Sequence, residues 1–100
     1  MPSNVPPITA STRVSRRADL LASGLRGETV MLDVQQGKYF GLDGIGSDIW
    51  ARMEAPLQVR DLCGQLVAAY AVDEKTCQRD VIALLEQLRD SGLIEVHHES

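Results

Sequence analysis

The spacing of apolar residues changes near Leu42, and that change constrains the fold more than any other feature of the chain. Upstream, apolar and polar positions alternate with the period of about two that a half-buried strand needs. The segment Glu28-Thr29-Val30-Met31-Leu32-Asp33-Val34 is the clearest strand, with Val30, Leu32 and Val34 on one face. Residues 20–25 give a weaker strand before it, and Arg26-Gly27 supplies the turn, because glycine tolerates positive φ. Gln35-Gln36-Gly37 turns the chain again, and Lys38-Tyr39-Phe40-Gly41-Leu42 follows as a third strand. Three strands joined by short turns make an antiparallel meander whose edges are the first and third strands.

Downstream of Leu42 the period is that of helices. Asp43 is placed to cap a helix over residues 44–53, where Ile45, Ile49 and Met53 recur with Trp50 beside them. Pro56 breaks the chain. A second helix is expected over residues 59–70, with Val59, Leu62, Cys63, Leu66, Val67 and Tyr70 on one stripe. Asp73 caps a third, with Glu74 in its first turn, where the helix dipole favours negative charge. Its stripe is Cys77, Val81, Leu84, Leu85 and Leu88, widened by Ile82. Gly92 ends it in the left-handed conformation and lets Leu93 fold back on Leu88. A short strand can follow over residues 93–96. The fold class is therefore α+β, a three-stranded antiparallel meander followed by three helices, and three helices with a short strand also describe a winged helix-turn-helix. The helices cover one face of the sheet.

At 100 residues the chain supports one domain. Residues 1–11, with Pro2, Pro6 and Pro7, read as a flexible tail; residues 12–96 form the domain; residues 97–100 read as a polar C-terminal tail. The pattern alone does not say whether Ile8 or Val14 docks on the domain. Fourteen acidic against 10 basic residues give a net charge of −4, which disfavours nucleic acid as a partner. Arg13, Arg16, Arg17 and Arg26 cluster early and read as a solvated face. Cys63 and Cys77 sit at apolar-face positions without metal spacing, so buried thiols in a reducing cytoplasm are expected. No apolar run is long enough for a membrane span, and no signal-peptide stretch is seen.

Catalytic chemistry needs a nucleophile with a base, paired carboxylates in a pocket, or spaced metal ligands. None is visible. His97 and His98 are adjacent near the end and read as polar tail rather than metal ligands. Gly41-Leu42-Asp43-Gly44-Ile45-Gly46 lacks the dinucleotide-binding order and reads as a turn with a cap. A non-catalytic protein without cofactor or metal is expected. Binding remains. The third strand is an exposed edge whose unpaired backbone groups an extended peptide can satisfy by strand addition. Along it Tyr39 and Gly41 point one way and Phe40 and Leu42 the other, so one pair faces the core.

Taken in order, Glu28-Thr29-Val30-Met31-Leu32-Asp33, Gly37-Lys38-Tyr39-Phe40-Gly41-Leu42-Asp43, Ile45-Gly46 and Ile49-Trp50 resemble the pyrroloquinoline quinone biosynthesis protein D (PqqD-like) family. The pattern continues through Val59, Leu62, Tyr70, Val72-Asp73, Asp80-Val81, residues 84–88 and Gly92-Leu93-Ile94. Members of that family are winged helix-turn-helix-like recognition elements for ribosomally made precursor peptides. The resemblance implies that a leader peptide is held as an added strand on the third strand, against the third helix. It implies Lys38, Tyr39, Phe40, Gly41 and Leu42 on the edge, faced by Cys77, Asp80, Val81, Leu84 and Leu88. It also implies a modifying enzyme as second partner, either a leader peptidase, as in lasso-peptide pathways, or a radical enzyme. The alternatives are a winged-helix nucleic-acid binder, opposed by Glu74, Asp80, Glu86 and Asp90 on the third helix, and a dimerisation domain pairing through its open edges as a homodimer.

Overall fold

The computed structural model describes residues 7–97 and places nine elements in the order β1 (Arg13–Arg16), β2 (Leu21–Leu25), β3 (Glu28–Asp33), β4 (Lys38–Asp43), α1 (Gly44–Arg52), β5 (Leu57–Gln58), α2 (Val59–Tyr70), α3 (Glu74–Asp90) and β6 (Ile94–His97). The meander β2-β3-β4 is antiparallel, with Leu21 opposite Leu32 and Leu32 opposite Tyr39. A second sheet, β5-β1-β6, joins segments distant in sequence. The sequence gives little sign of β1 or β5, because both are short and pair only across the fold.

Residues 8–16 dock on the domain, including part of the stretch that reads as a flexible tail. Ile8 and Val14 are buried in the core. Gln58 precedes α2 but makes no side-chain cap, so the first N–H groups of the helix need other acceptors. Backbone carbonyls supply them: Val59 donates to Thr12 and Arg60 to Ala10, at 2.9 and 2.8 Å. The segment that carries the early arginines is thus structural. Arg16 lies over the Trp50 ring, 5.8 Å from its centroid.

Asp73 caps α3 as expected, its side chain accepting from the Thr76 N–H at 3.0 Å. That bond from Thr76 holds the Asp73 carboxyl below its usual range. Asp43 occupies the corresponding place before α1 but makes no side-chain cap. Gly44 starts that helix at a φ of 52°, which takes the first turn out of ordinary cap geometry. The end of α3 is a Schellman motif: Gly92 has a φ of 74° and donates to Arg89, while Leu93 donates to Leu88.

One expectation from the strand pattern is reversed. The apolar face of β3, Val30 and Leu32 with Val34 beyond it, is not the covered one. Thr29, Met31 and Asp33 are buried instead. The reason lies in Asp33, which is fully buried because it organises the chain around it. It accepts from Gln35 and Gln36 backbone N–H groups, from the Gln36 side chain at 2.6 Å, and from Arg17. Arg17 also donates to the Gly92 carbonyl at 2.8 Å and pairs with Asp19. Burial works against ionisation of Asp33, yet the hydrogen bonds from Arg17 and Gln36 outweigh it and hold the carboxyl below its usual range.

Candidate peptide-binding groove

β4 pairs with β3 on one side and, among the described residues, with no strand on the other. Its inner face carries Lys38, Phe40 and Leu42, of which Phe40 and Leu42 are half-buried against the core. Its outer face carries Tyr39 and Gly41, both exposed. That resolves the choice the alternation leaves open: Phe40 and Leu42 face inward.

Two pockets along α3, one beside each end of β4, together form a groove. At one end is a pocket of about 290 Å³ with almost wholly apolar walls. α1 contributes Ile45 and Ile49, α2 contributes Leu66 and Tyr70, and α3 contributes Cys77, Val81 and Leu84. Asp80 and Thr76 stand at its rim, and Leu42 of β4 lies against Gly46 beside it. Tyr70 is fixed there by donating to Asp48 at 2.7 Å. That bond raises the Tyr70 hydroxyl pKa, and with the Arg52 ion pair it lowers that of Asp48. At the other end Lys38 and Phe40 of β4 face Arg89 and Asp90 of α3 across a more polar pocket.

Of the α3 residues expected to face the peptide, Asp80 is exposed and Leu84 half-buried, while Cys77, Val81 and Leu88 are buried. Cys77 and Val81 form the pocket floor; Leu88 lies in the core. Cys63 sits beside Cys77, and its thiol is pushed up to about 11 by burial and by that neighbour, so it stays protonated at neutral pH. The strand and helix pattern does not single out Ile45, Ile49, Tyr70 and Val72 as groove residues. The spacing of Ile45, Ile49 and Tyr70 reads as core, Val72 lies between helices, and only the juxtaposition of α1, α2 and α3 opens a space between them.

The outer face of the meander is a second feature. Leu21, Leu32 and Tyr39 lie in one row across three strands, with Val30 beside them. Leu21 is 61%, Val30 50% and Tyr39 73% exposed. Among the described residues no group of three His, Cys, Asp or Glu could hold a metal ion, and no helix is long and apolar enough to cross a membrane. His97 closes β6, its ring bonded to Ser15 at 2.8 Å, and His98 lies outside the described residues.

The groove geometry agrees with what comparison finds. The solved structure described as TbiB1 in complex with the TbiA(beta) leader peptide shares the fold at a TM-score of 0.77 and 30% identity. The match covers 85% of this chain and 99% of that one. No curated protein matches the chain. The family model for coenzyme PQQ synthesis protein D matches residues 28–94, from the start of β3 into β6. By that match, which spans the meander strands that form the edge and all three helices that form the groove, the chain belongs to the family of coenzyme PQQ synthesis protein D.

Proposed function

We propose that this protein binds the leader segment of a ribosomally synthesised precursor peptide as an added strand on β4, and presents it to an enzyme without catalysing a reaction itself. The observation that carries the reading is β4 itself. Among the described residues it is an edge strand, paired on one side only, and its Leu42 borders an apolar pocket built by three helices. Backbone groups on such an edge supply affinity for any extended chain, and the pocket supplies selectivity through alternate side chains. The likeness to a protein solved with a leader peptide supports the choice of peptide. Lys38, Tyr39, Phe40, Gly41 and Leu42 then form the edge, with Cys77, Asp80, Val81 and Leu84 along the facing helix.

The second partner, a leader peptidase or a radical enzyme, needs its own surface. The exposed side chains of Leu21, Val30 and Tyr39 suit it. An exposed apolar face of this kind on a small domain marks an interaction surface, and it ends at the strand that receives the peptide.

The test is a titration of the isotopically labelled protein with synthetic leader segments of precursor peptides, beginning with any found encoded near it, followed by amide chemical shifts. Saturable shifts confined to β4, the start of α1 and α3 are expected. Absence of shifts there at saturating leader would overturn the reading. Shifts centred on α3 with duplex DNA, lost at high salt, would favour nucleic-acid binding instead.

A further inference from the structure

The groove along β4 is chemically asymmetric, and its asymmetry specifies the peptide. At the Leu42 end the walls are Ile45, Val81, Leu84 and their neighbours, and Asp80 at the rim is engaged with Arg79 at 3.4 Å. At the other end Lys38 points into the groove beside Phe40 and faces Arg89 and Asp90. Asp90 is engaged with Arg89 at 3.1 Å. Asp33 lies directly across from Lys38 on β3, but its oxygens are occupied by Arg17, Gln36 and backbone N–H groups. Lys38 itself makes no ion pair among the described residues. The Lys38 end therefore carries a surplus positive charge, and the Leu42 end is almost wholly apolar.

We infer that the groove selects an extended segment with a bulky apolar side chain and an acidic side chain four residues apart, the apolar one seated by Val81 and Leu84 and the acidic one beside Lys38. The inference rests on the strand-addition reading. The spacing follows from geometry. Lys38 and Leu42 are four residues apart on one strand, roughly 13 Å at the rise of an extended chain. Residues i and i+4 of an added strand share a face, so both side chains point into the groove. Placed the other way round, the acid would enter the apolar pocket and the apolar side chain would meet Lys38. The match thus fixes the direction in which the segment lies.

The test uses fluorescein-labelled, end-capped strand peptides of about nine residues on a threonine and glutamine background. Each carries a leucine and, four positions away, either a glutamate or a lysine. Both orders are made, so that either chain direction is sampled. Fluorescence anisotropy gives affinity, and amide shifts of the labelled protein give location. For one order the glutamate peptide binds about tenfold tighter than the lysine peptide at low salt, as expected when an attractive charge contact becomes a repulsive one. The preference shrinks as salt is added. In the Lys38→Glu protein it disappears or inverts. Equal binding of the two peptides, with β4 shifts present, overturns the inference and leaves strand addition standing. No β4 shift with any of the probes overturns both.

Discussion

The two sheets of this protein are made differently. β5-β1-β6 draws on three distant parts of the chain, and its central strand is paired on both sides. Val14, Ser15 and Ile94 in it are buried, and backbone bonds from Arg16 to Met53 and from Arg17 to Leu93 extend its ties to the rest of the fold. β2-β3-β4 is one contiguous stretch of chain. Both its outer strands are bare on one side among the described residues, and its outer face exposes Leu21, Val30 and Tyr39. The first sheet fastens the N-terminal segment to the two ends of the helical layer. The second leaves backbone and apolar surface available to partners. The difference shows how a domain of this size can present an open edge: the frame that fixes the core lies elsewhere.

Asp33 and Arg17 join the two halves, since Arg17 follows β1, Asp33 ends β3 and the Gly92 carbonyl precedes β6. Removing one partner of a buried charge pair leaves the other unsatisfied. Asp33→Ala is expected to lower Tm by roughly 15 °C, read by circular dichroism. A loss of only a few degrees would show that the sheets hold together without this link. The linkage to pH has a definite sign. The folded-state pKa of Asp33 is depressed, so its contribution is complete above the unfolded value of about 3.9 and is lost as pH falls through the folded value. Asp19, Asp48 and Asp73 are depressed as well and add to the same acid loss. The wild-type Tm therefore falls more steeply below about pH 4 than that of Asp33→Ala.

The two faces of β3 sharpen the comparison. Met31 is fully buried and Val30, its neighbour, is half exposed. Met31→Ala should cost about 2–4 kcal/mol in denaturant unfolding, and Val30→Ala below about 0.5 kcal/mol. Equal costs would mean that the outer face is covered in solution. At Leu84 the expected change is chiefly in binding. Leu84 is half-buried at the groove, so Leu84→Asp should weaken leader binding by about tenfold or more while the protein still unfolds cooperatively. Leu84→Ala is the milder companion. Unfolding of both variants would assign Leu84 to the core.

Much of the fold is legible in the sequence. The hairpin turn at Arg26-Gly27, the start of α2 at Val59, the Asp73 cap and the Gly92 ending all follow from local chemistry and stand where expected. What is not legible depends on distant partners. β1 is four residues long and is defined by pairing with β5 and β6. The covered face of β3 is decided by Arg17 and Gln36 reaching Asp33, which overrides the apolar alternation of Val30 and Leu32. The edge strand of the site is legible as a motif from Lys38 to Leu42. The pocket beside it is not, because Ile45, Ile49 and Tyr70 line a space only where three helices meet.

On this reading one edge of the open sheet, β4, takes a strand. Amide hydrogen exchange of β4 and β2, with and without saturating leader peptide, tests it most directly. Lys38–Asp43 and Leu21–Leu25 are edges of the same sheet, so each is the other's control. New backbone hydrogen bonds should slow exchange on β4 and leave β2 unchanged. Bound peptide with no slowing on β4, or slowing on β2 instead, would contradict the account.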